Sequence, residues 1–123
     1  LSFDLANFEE ILVIGAGKAS AAMAKELENI MGSKISRGII NVKYDHTANL
    51  NNIELIEAGH PIPDENGQAG AKKIFDVAKN AHEKTLIFCL ISGGGSALSP
   101  LPCEGISLAE KQETTKIKRY FIR

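Results

Sequence analysis

The chain has 123 residues, 44% of them hydrophobic and 24% charged, and its 14 Lys and Arg against 15 Asp and Glu leave a formal net charge of −1. This is the profile of an ordinary soluble domain, long enough for one core that buries roughly two-thirds of the unfolded surface. The charge balance argues against nucleic acid or a membrane surface as partner, and the longest unbroken apolar run, residues 86–91, is far too short to span a bilayer.

The first predicted element is a strand at residues 11–14 (ILVI), a short continuous apolar run ending in glycine, the pattern of a strand buried on both faces. A helix is predicted from Lys18 to Met31, with Ala19, Ala22, Met23, Leu27 and Ile30 at helical spacing and Gly32 as its stop. Residues 38–42 (GIINV) and 53–57 (IELIE) read as further strands, with a polar loop between them. After EAGHPIPDENG a second helix is predicted over 65–81, its apolar stripe made of Ala71, Ile74, Phe75, Ala78 and Ala81. Residues 85–91 (TLIFCLI) form the most hydrophobic strand, which is expected at the centre of the sheet with Cys89 as a small core residue. Ser107 and Glu110 in SLAE form a capping box, so the last helix starts at Leu108.

Strands alternating with helices imply an α/β fold: a three-layer, Rossmann-like domain with a mainly parallel sheet and right-handed crossovers. Cys89 and Cys103 have neither metal-like spacing nor the look of a disulfide framework, so a reducing cytoplasm is the expected location. No signal peptide is visible, and the opening on Leu1 without an initiator methionine reads as a fragment.

Open α/β sheets bind ligands beyond the carboxyl ends of their strands, and three such ends carry unusual residues here. GAGKAS, residues 15–20, follows the first strand. It departs from a dinucleotide fingerprint because Ser20 stands where a third glycine belongs, and no acid suited to a ribose ends the second strand. Its spacing also differs from a Walker loop. What remains is a pair of glycines, Gly15 and Gly17, opening a helix N-terminus that can take an anion. Lys18 there would oppose the helix dipole by roughly 0.3–1 kcal/mol unless an anion reversed the sign. The plainer alternative is a strand-to-helix turn with an outward lysine.

SGGGSA, after the fourth strand, offers consecutive backbone N–H groups at Gly93, Gly94 and Gly95 and two hydroxyls, Ser92 and Ser96. Such a run can form a concave nest for phosphate oxygens. It lacks the last glycine of a hydrolase nucleophile elbow, and a tight turn alone explains three glycines poorly. In EAGHPIPDENG, Pro61 and Pro63 stiffen the segment that carries His60 and Asp64. Asp64 also fits a plain helix N-cap, while His46 and His82 read as surface residues.

GAGKASAAMA, EAGHPIPDENG, LISGGGSAL and LAEKQETTK, in this order and spacing, resemble the glycerate 2-kinase family (the MOFRL-type or class II glycerate kinases), over roughly residues 11–116. The resemblance implies ATP-dependent phosphorylation of the 2-hydroxyl of D-glycerate to 2-phosphoglycerate, with Mg²⁺, in a cleft between two domains. By the same resemblance Lys18 looks like the active-site lysine, and Ser92, Gly93, Gly94, Gly95 and Ser96 look like the phosphate loop, with Gly15 and Gly17 beside it. His60 and Asp64 match the family's H-P-x-P-D motif and are counted with the catalytic candidates. No protein metal ligand is assigned. Residues 117–123 (IKRYFIR) depart from the family pattern, so residues 1–123 are read as the N-terminal part of a larger α/β domain, with the C-terminal domain absent. Such a piece is expected to be inactive or incomplete and to self-associate through an uncovered sheet edge or helix faces. Two alternatives stand beside this reading: a non-catalytic phosphate- or phosphosugar-binding module, and an NAD(P)-dependent hydroxypyruvate reductase, an older label in the same family.

Overall fold

Strand β1 (Glu10–Ala16) is one of the two inner strands of the sheet, with a partner on each side. Leu12 and Val13, which point to opposite faces, are both fully buried. The computed structural model describes residues 4–121; Leu1, where the fragment reading begins, and the last two residues of the 117–123 tail lie outside them. Strands β2 (Arg37–Lys43), β3 (Ile53–Ala58) and β4 (Thr85–Ile91) complete a four-stranded sheet in the order β3-β2-β1-β4, all pairings parallel. The expected α/β class is therefore observed.

Helix α1 (Ser20–Met31) covers one face, where Ala21, Ala24 and Met31 pack with Val13, Ile40, Val42 and Ile53. From β1 to β3 the chain steps in one direction; β3 then crosses back through helix α2 (Glu65–Lys79) to β4. With right-handed crossovers, that reversal places α2 on the opposite face, which gives three layers. A short helix α3 (Gly95–Leu98) follows β4, and α4 (Leu108–Phe121) ends the described chain. Its capping box is made as expected: Ser107 Oγ accepts the Glu110 N–H, and a Glu110 carboxylate oxygen accepts from the Ser107 backbone at 2.7 Å. Among the described residues no helix is long and apolar enough to cross a membrane.

The link from β2 to β3 is a loop, where a parallel connection usually spends a helix. Buried Glu28 on α1 holds it: its carboxylate accepts the N–H of Asn51 at 3.0 Å and of Asn52 at 2.8 Å, while Lys25 Nζ donates to Asn49 O. Ala48 and Leu50 of the loop then pack against the α1-side core.

Three expectations are corrected. β4 lies at the edge of the described sheet, not its centre. Leu86, Phe88 and Leu90 pack against the α1-side core, but α2 sits over β2 and β3 and leaves the other face of β4 bare. Consequently Cys89 is exposed rather than a core residue, and Ile91 is 67% exposed. The buried sides of the helices also differ from the predicted stripes. α1 starts at Ser20, not Lys18, and buries Ser20, Ala21, Ala24, Glu28 and Met31, while Ile30 is 81% exposed. α2 buries Gly67, Gly70, Ala71 and Val77, with Phe75 facing out. Small residues win these faces because they let the helix backbone approach the sheet: a Cβ on Gly70 would overlap the side chain of Asn41 in β2.

The exposed face of β4 gives a direct chemical test. In the native chain a thiol reagent should modify Cys89 as readily as the loop residue Cys103, read by peptide mass mapping. Labelling of Cys89 that waits for denaturant would return it to the core.

Candidate functional site

Because all four strands are parallel, the loops after β1, β3 and β4 emerge on one side of the sheet. The loops after β1 and β4 are knitted together. Ser92 N–H donates to Ala16 O at 3.2 Å, Lys18 N–H to Gly93 O at 3.0 Å and Ala19 N–H to Ser92 Oγ at 3.0 Å. Ser20, in the place of the fingerprint's third glycine, is fully buried; its hydroxyl donates to Leu90 O and lies 3.2 Å from Ser92 Oγ. The backbone N–H groups of Lys18, Ala19 and Ser20 are thus all bonded within the protein. Lys18 precedes the helix rather than sitting in its first turn, so the dipole penalty expected for it is reduced.

The glycines divide by role. Gly15 lies inside β1, where a Cβ would overlap the Leu90 carbonyl. Gly17, at φ +151°, has no room for one beside Ser92 Oγ. Gly94, at φ +92°, is the meeting point of three segments: a Cβ there would stand 2.8 Å from His60 Cδ2, 3.0 Å from His60 Nε2 and 3.5 Å from Lys18 Cγ. Gly95 packs near Ala16 O. Of these site glycines Gly93 has the most room, with Lys18 Cε the nearest atom, 3.8 Å from where a Cβ would be. The stem of Lys18 therefore lies across the glycine loop. The N–H groups of Gly93, Gly94, Gly95 and Ser96 take no part in the hydrogen bonds that tie the loops together. Lys18, Gly93 and Ser96 are exposed.

The segment after β3 carries His60, joined to Pro61 by a cis peptide. Asp64 at its end is the N-cap of α2, with Oδ1 accepting the Gly67 N–H at 2.9 Å and Oδ2 accepting the Tyr44 hydroxyl at 2.7 Å. Burial pushes the Asp64 carboxyl upward, but the N–H groups of Gly67 and Gly59 and the Tyr44 hydroxyl outweigh it and hold the group below its ordinary range. Asp64 thus has a clear structural task at the base of the His60 turn. Gln112 of α4 adds a second tie, donating to Pro63 O at 2.8 Å.

Tyr44 and Asn41 are participants that sequence reasoning missed. Tyr44 has a faint signal, a tyrosine placed directly after the second strand; Asn41, fully buried within β2, has none that differs from a satisfied strand residue. Of the clefts that border the loops, two adjoin the ends of β1 and β4 and the start of α1. An apolar one of about 430 Å³ is lined by Ile14, Ile74, Cys89, Ile91, Gly95 and Ser99. The other, about 460 Å³, runs from Lys18 past Lys25 to His46. Among the described residues no group of three His, Cys, Asp or Glu side chains is placed to hold a metal ion.

The Asp64 clamp makes a pH prediction. Its folded-state pKa is depressed, so its contribution is present above the unfolded value and lost as pH falls through the folded one. Asp64→Ala should cost about 0.5–2 kcal/mol at neutral pH. The gap in Tm between wild type and variant should narrow as pH falls below roughly 4. A gap unchanged down to strongly acidic pH would show that the carboxylate is not the capping species.

A family model described as Domain of unknown function (DUF4147) matches residues 1–117. The chain is 44% identical over 108 residues to a glycerate 2-kinase of Pyrococcus horikoshii, and 37% identical over 110 residues to the D-glycerate 2-kinase of Thermotoga maritima. These alignments cover 88% and 89% of this chain but 24% and 26% of those proteins. It therefore spans about a quarter of the length of the curated relatives it matches. The crystal structure of a glycerate kinase from Thermotoga maritima superposes with a TM-score of 0.83 at 35% identity, covering 94% of this chain and 28% of that one. The knitted loops thus sit on a shared fold, and the chain belongs to the DUF4147 family and is a homologue of the glycerate 2-kinases.

Proposed function

We propose that this chain forms the phosphate-handling wall of an ATP-dependent D-glycerate 2-kinase, with the facing wall supplied by sequence outside these 123 residues. One observation carries the reading: at Gly94 the ring of His60, the stem of Lys18 and the open glycine loop meet at the carboxyl edge of a parallel sheet. Homology to the glycerate 2-kinases supports it.

In the reaction the 2-hydroxyl oxygen of glycerate forms a bond to the γ-phosphorus of ATP and releases its proton to solvent, the bond from that phosphorus to the β–γ bridging oxygen breaks, and ADP leaves. Phosphoryl transfer asks the protein for positioning and charge stabilisation more than for covalent chemistry. The N–H groups of Gly93 to Ser96 supply donors for phosphate oxygens. Lys18 supplies a positive charge beside them, and its aliphatic stem, held against Gly93 and Gly94, limits where that charge can go. On this reading His60, whose ring lies beside Gly94, belongs to the same wall. Asp64 acts through the turn that bears His60. The described residues present no carboxylate cage for Mg²⁺, which in nucleotide sites is held largely by phosphate oxygens and water. A dinucleotide pyrophosphate would instead draw on the turn into α1, where the N–H groups of Lys18, Ala19 and Ser20 are already bonded, which leaves the reductase alternative only the donors from Ala21 onward.

Two assays test the proposal. The 123-residue chain alone should show no ATP- and glycerate-dependent turnover, because charge on only one side of the transferring group is in place; clear turnover would overturn that part. In a protein of the relatives' length carrying this segment, Lys18→Met should lower kcat by roughly 10²–10³. Its Tm should stay level, since Lys18 is exposed and precedes the helix. Near-normal kcat would make Lys18 a plain surface residue.

A further inference from the structure

Asn41 sits in the middle of the sheet, fully buried, with Ala16 of β1 and Ile56 of β3 as its register neighbours. A buried amide costs free energy unless it is hydrogen-bonded, and the bonds it makes go to all three loops of the site. Its backbone oxygen accepts the Gly17 N–H at 3.0 Å, which ties in the loop after β1. Its Nδ2 donates to Gly67 O at 2.9 Å, in the first turn of α2, the same turn that Asp64 caps. Its second donation, also at 2.9 Å, goes to Leu98 O, the last residue of α3 and the end of the glycine loop. That carbonyl is one of the orphans at a helix C-terminus and has no partner within α3. Both donations fix the amide orientation, because the flipped amide would set Oδ1 against two carbonyl oxygens.

The remaining atom has no polar partner. Asn41 Oδ1 is buried without a hydrogen bond and lies against Gly70 of α2, where a Cβ would overlap it. A leucine of similar size would remove the orphaned Oδ1 but leave Leu98 O without its donor, so packing alone does not call for an amide here. Tying together two carbonyls on different elements does.

We infer that Asn41 is a positioning residue that holds the loops after β1, β3 and β4 in one mutual geometry, from a strand whose own end carries no site motif. The inference rests on the kinase reading only for what the loops bind; the coupling itself is a matter of hydrogen bonds. Ser99, 3.5 Å from Asn41 Nδ2, marks the outer limit of the same cluster. Gly70 has its own part: it keeps open the space the amide needs.

The test uses the 123-residue chain, backbone amide NMR and inorganic tripolyphosphate as the anion probe. Asn41→Asp keeps the shape but turns the donor into an acceptor facing two carbonyls. Gly70→Ala, which by helix propensity alone would stabilise α2, pushes the amide away from Gly67 and Leu98. Each is expected to shift amides in residues 16–19, 59–67 and 92–99 together, and to weaken tripolyphosphate binding about tenfold. Val13→Ala, on the α1 side of the sheet, should lower Tm without that pattern. If Asn41→Asp does not fold, Gly70→Ala decides by the same criterion. Shifts confined to one loop, or to residues 39–43, would overturn the inference. Failure of the wild-type chain to bind tripolyphosphate would count against the phosphate reading, and the shift pattern would still decide the coupling.

Discussion

The site hangs on the interlock between the ends of β1 and β4. Ser92 Oγ and Gly93 O take the N–H groups of Ala19 and Lys18, and Ser92 N–H returns a bond to Ala16 O. These bonds occupy the N–H groups of Lys18 and Ala19 in the turn that leads into α1. The next four N–H groups, Gly93 to Ser96, take no part in these bonds. Once Ser92 occupies that place, Gly17 can carry no side chain, and Ser20 has room for a hydroxyl that closes the contact. A dinucleotide-like sequence thus becomes a scaffold for a different loop.

The third segment is fastened separately. Asp64 spends its carboxylate on Gly67, Gly59 and Tyr44, and α4 reaches back through Gln112 to Pro63. The result is a histidine whose ring rests on Gly94 while its own turn is braced from both ends. Side chains that resemble catalytic groups in the sequence therefore separate into two kinds. Lys18 is exposed at the open loop, whereas Asp64 is occupied in holding the turn.

Much of this was legible in the sequence. Strand and helix order, the parallel sheet, the caps at Asp64 and Ser107 and the convergence of three loops all follow from local patterns. The position of β4 was not legible, because an apolar run reports two apolar faces and says nothing of which neighbours cover them. Helix faces were misread for a related reason: bulky residues such as Ile30 and Phe75 dominate a stripe on paper, while Ala24, Gly67 and Gly70 decide how close the backbone can come. Tyr44 and Asn41 act across 20 or more residues of sequence, where no local periodicity reaches.

The central claim is that the open N–H groups after β4, with Lys18 and His60, form one site for a nucleoside triphosphate. The most direct measurement is an amide and side-chain NMR titration of the chain with ATP, and in parallel with NADPH. The account predicts that Gly93, Gly94, Gly95, Ser96, Lys18 and His60 respond to ATP along a single saturation curve, with little response to NADPH. Silence of the glycine loop toward ATP, or a response centred on residues 20–24 toward NADPH, would contradict it.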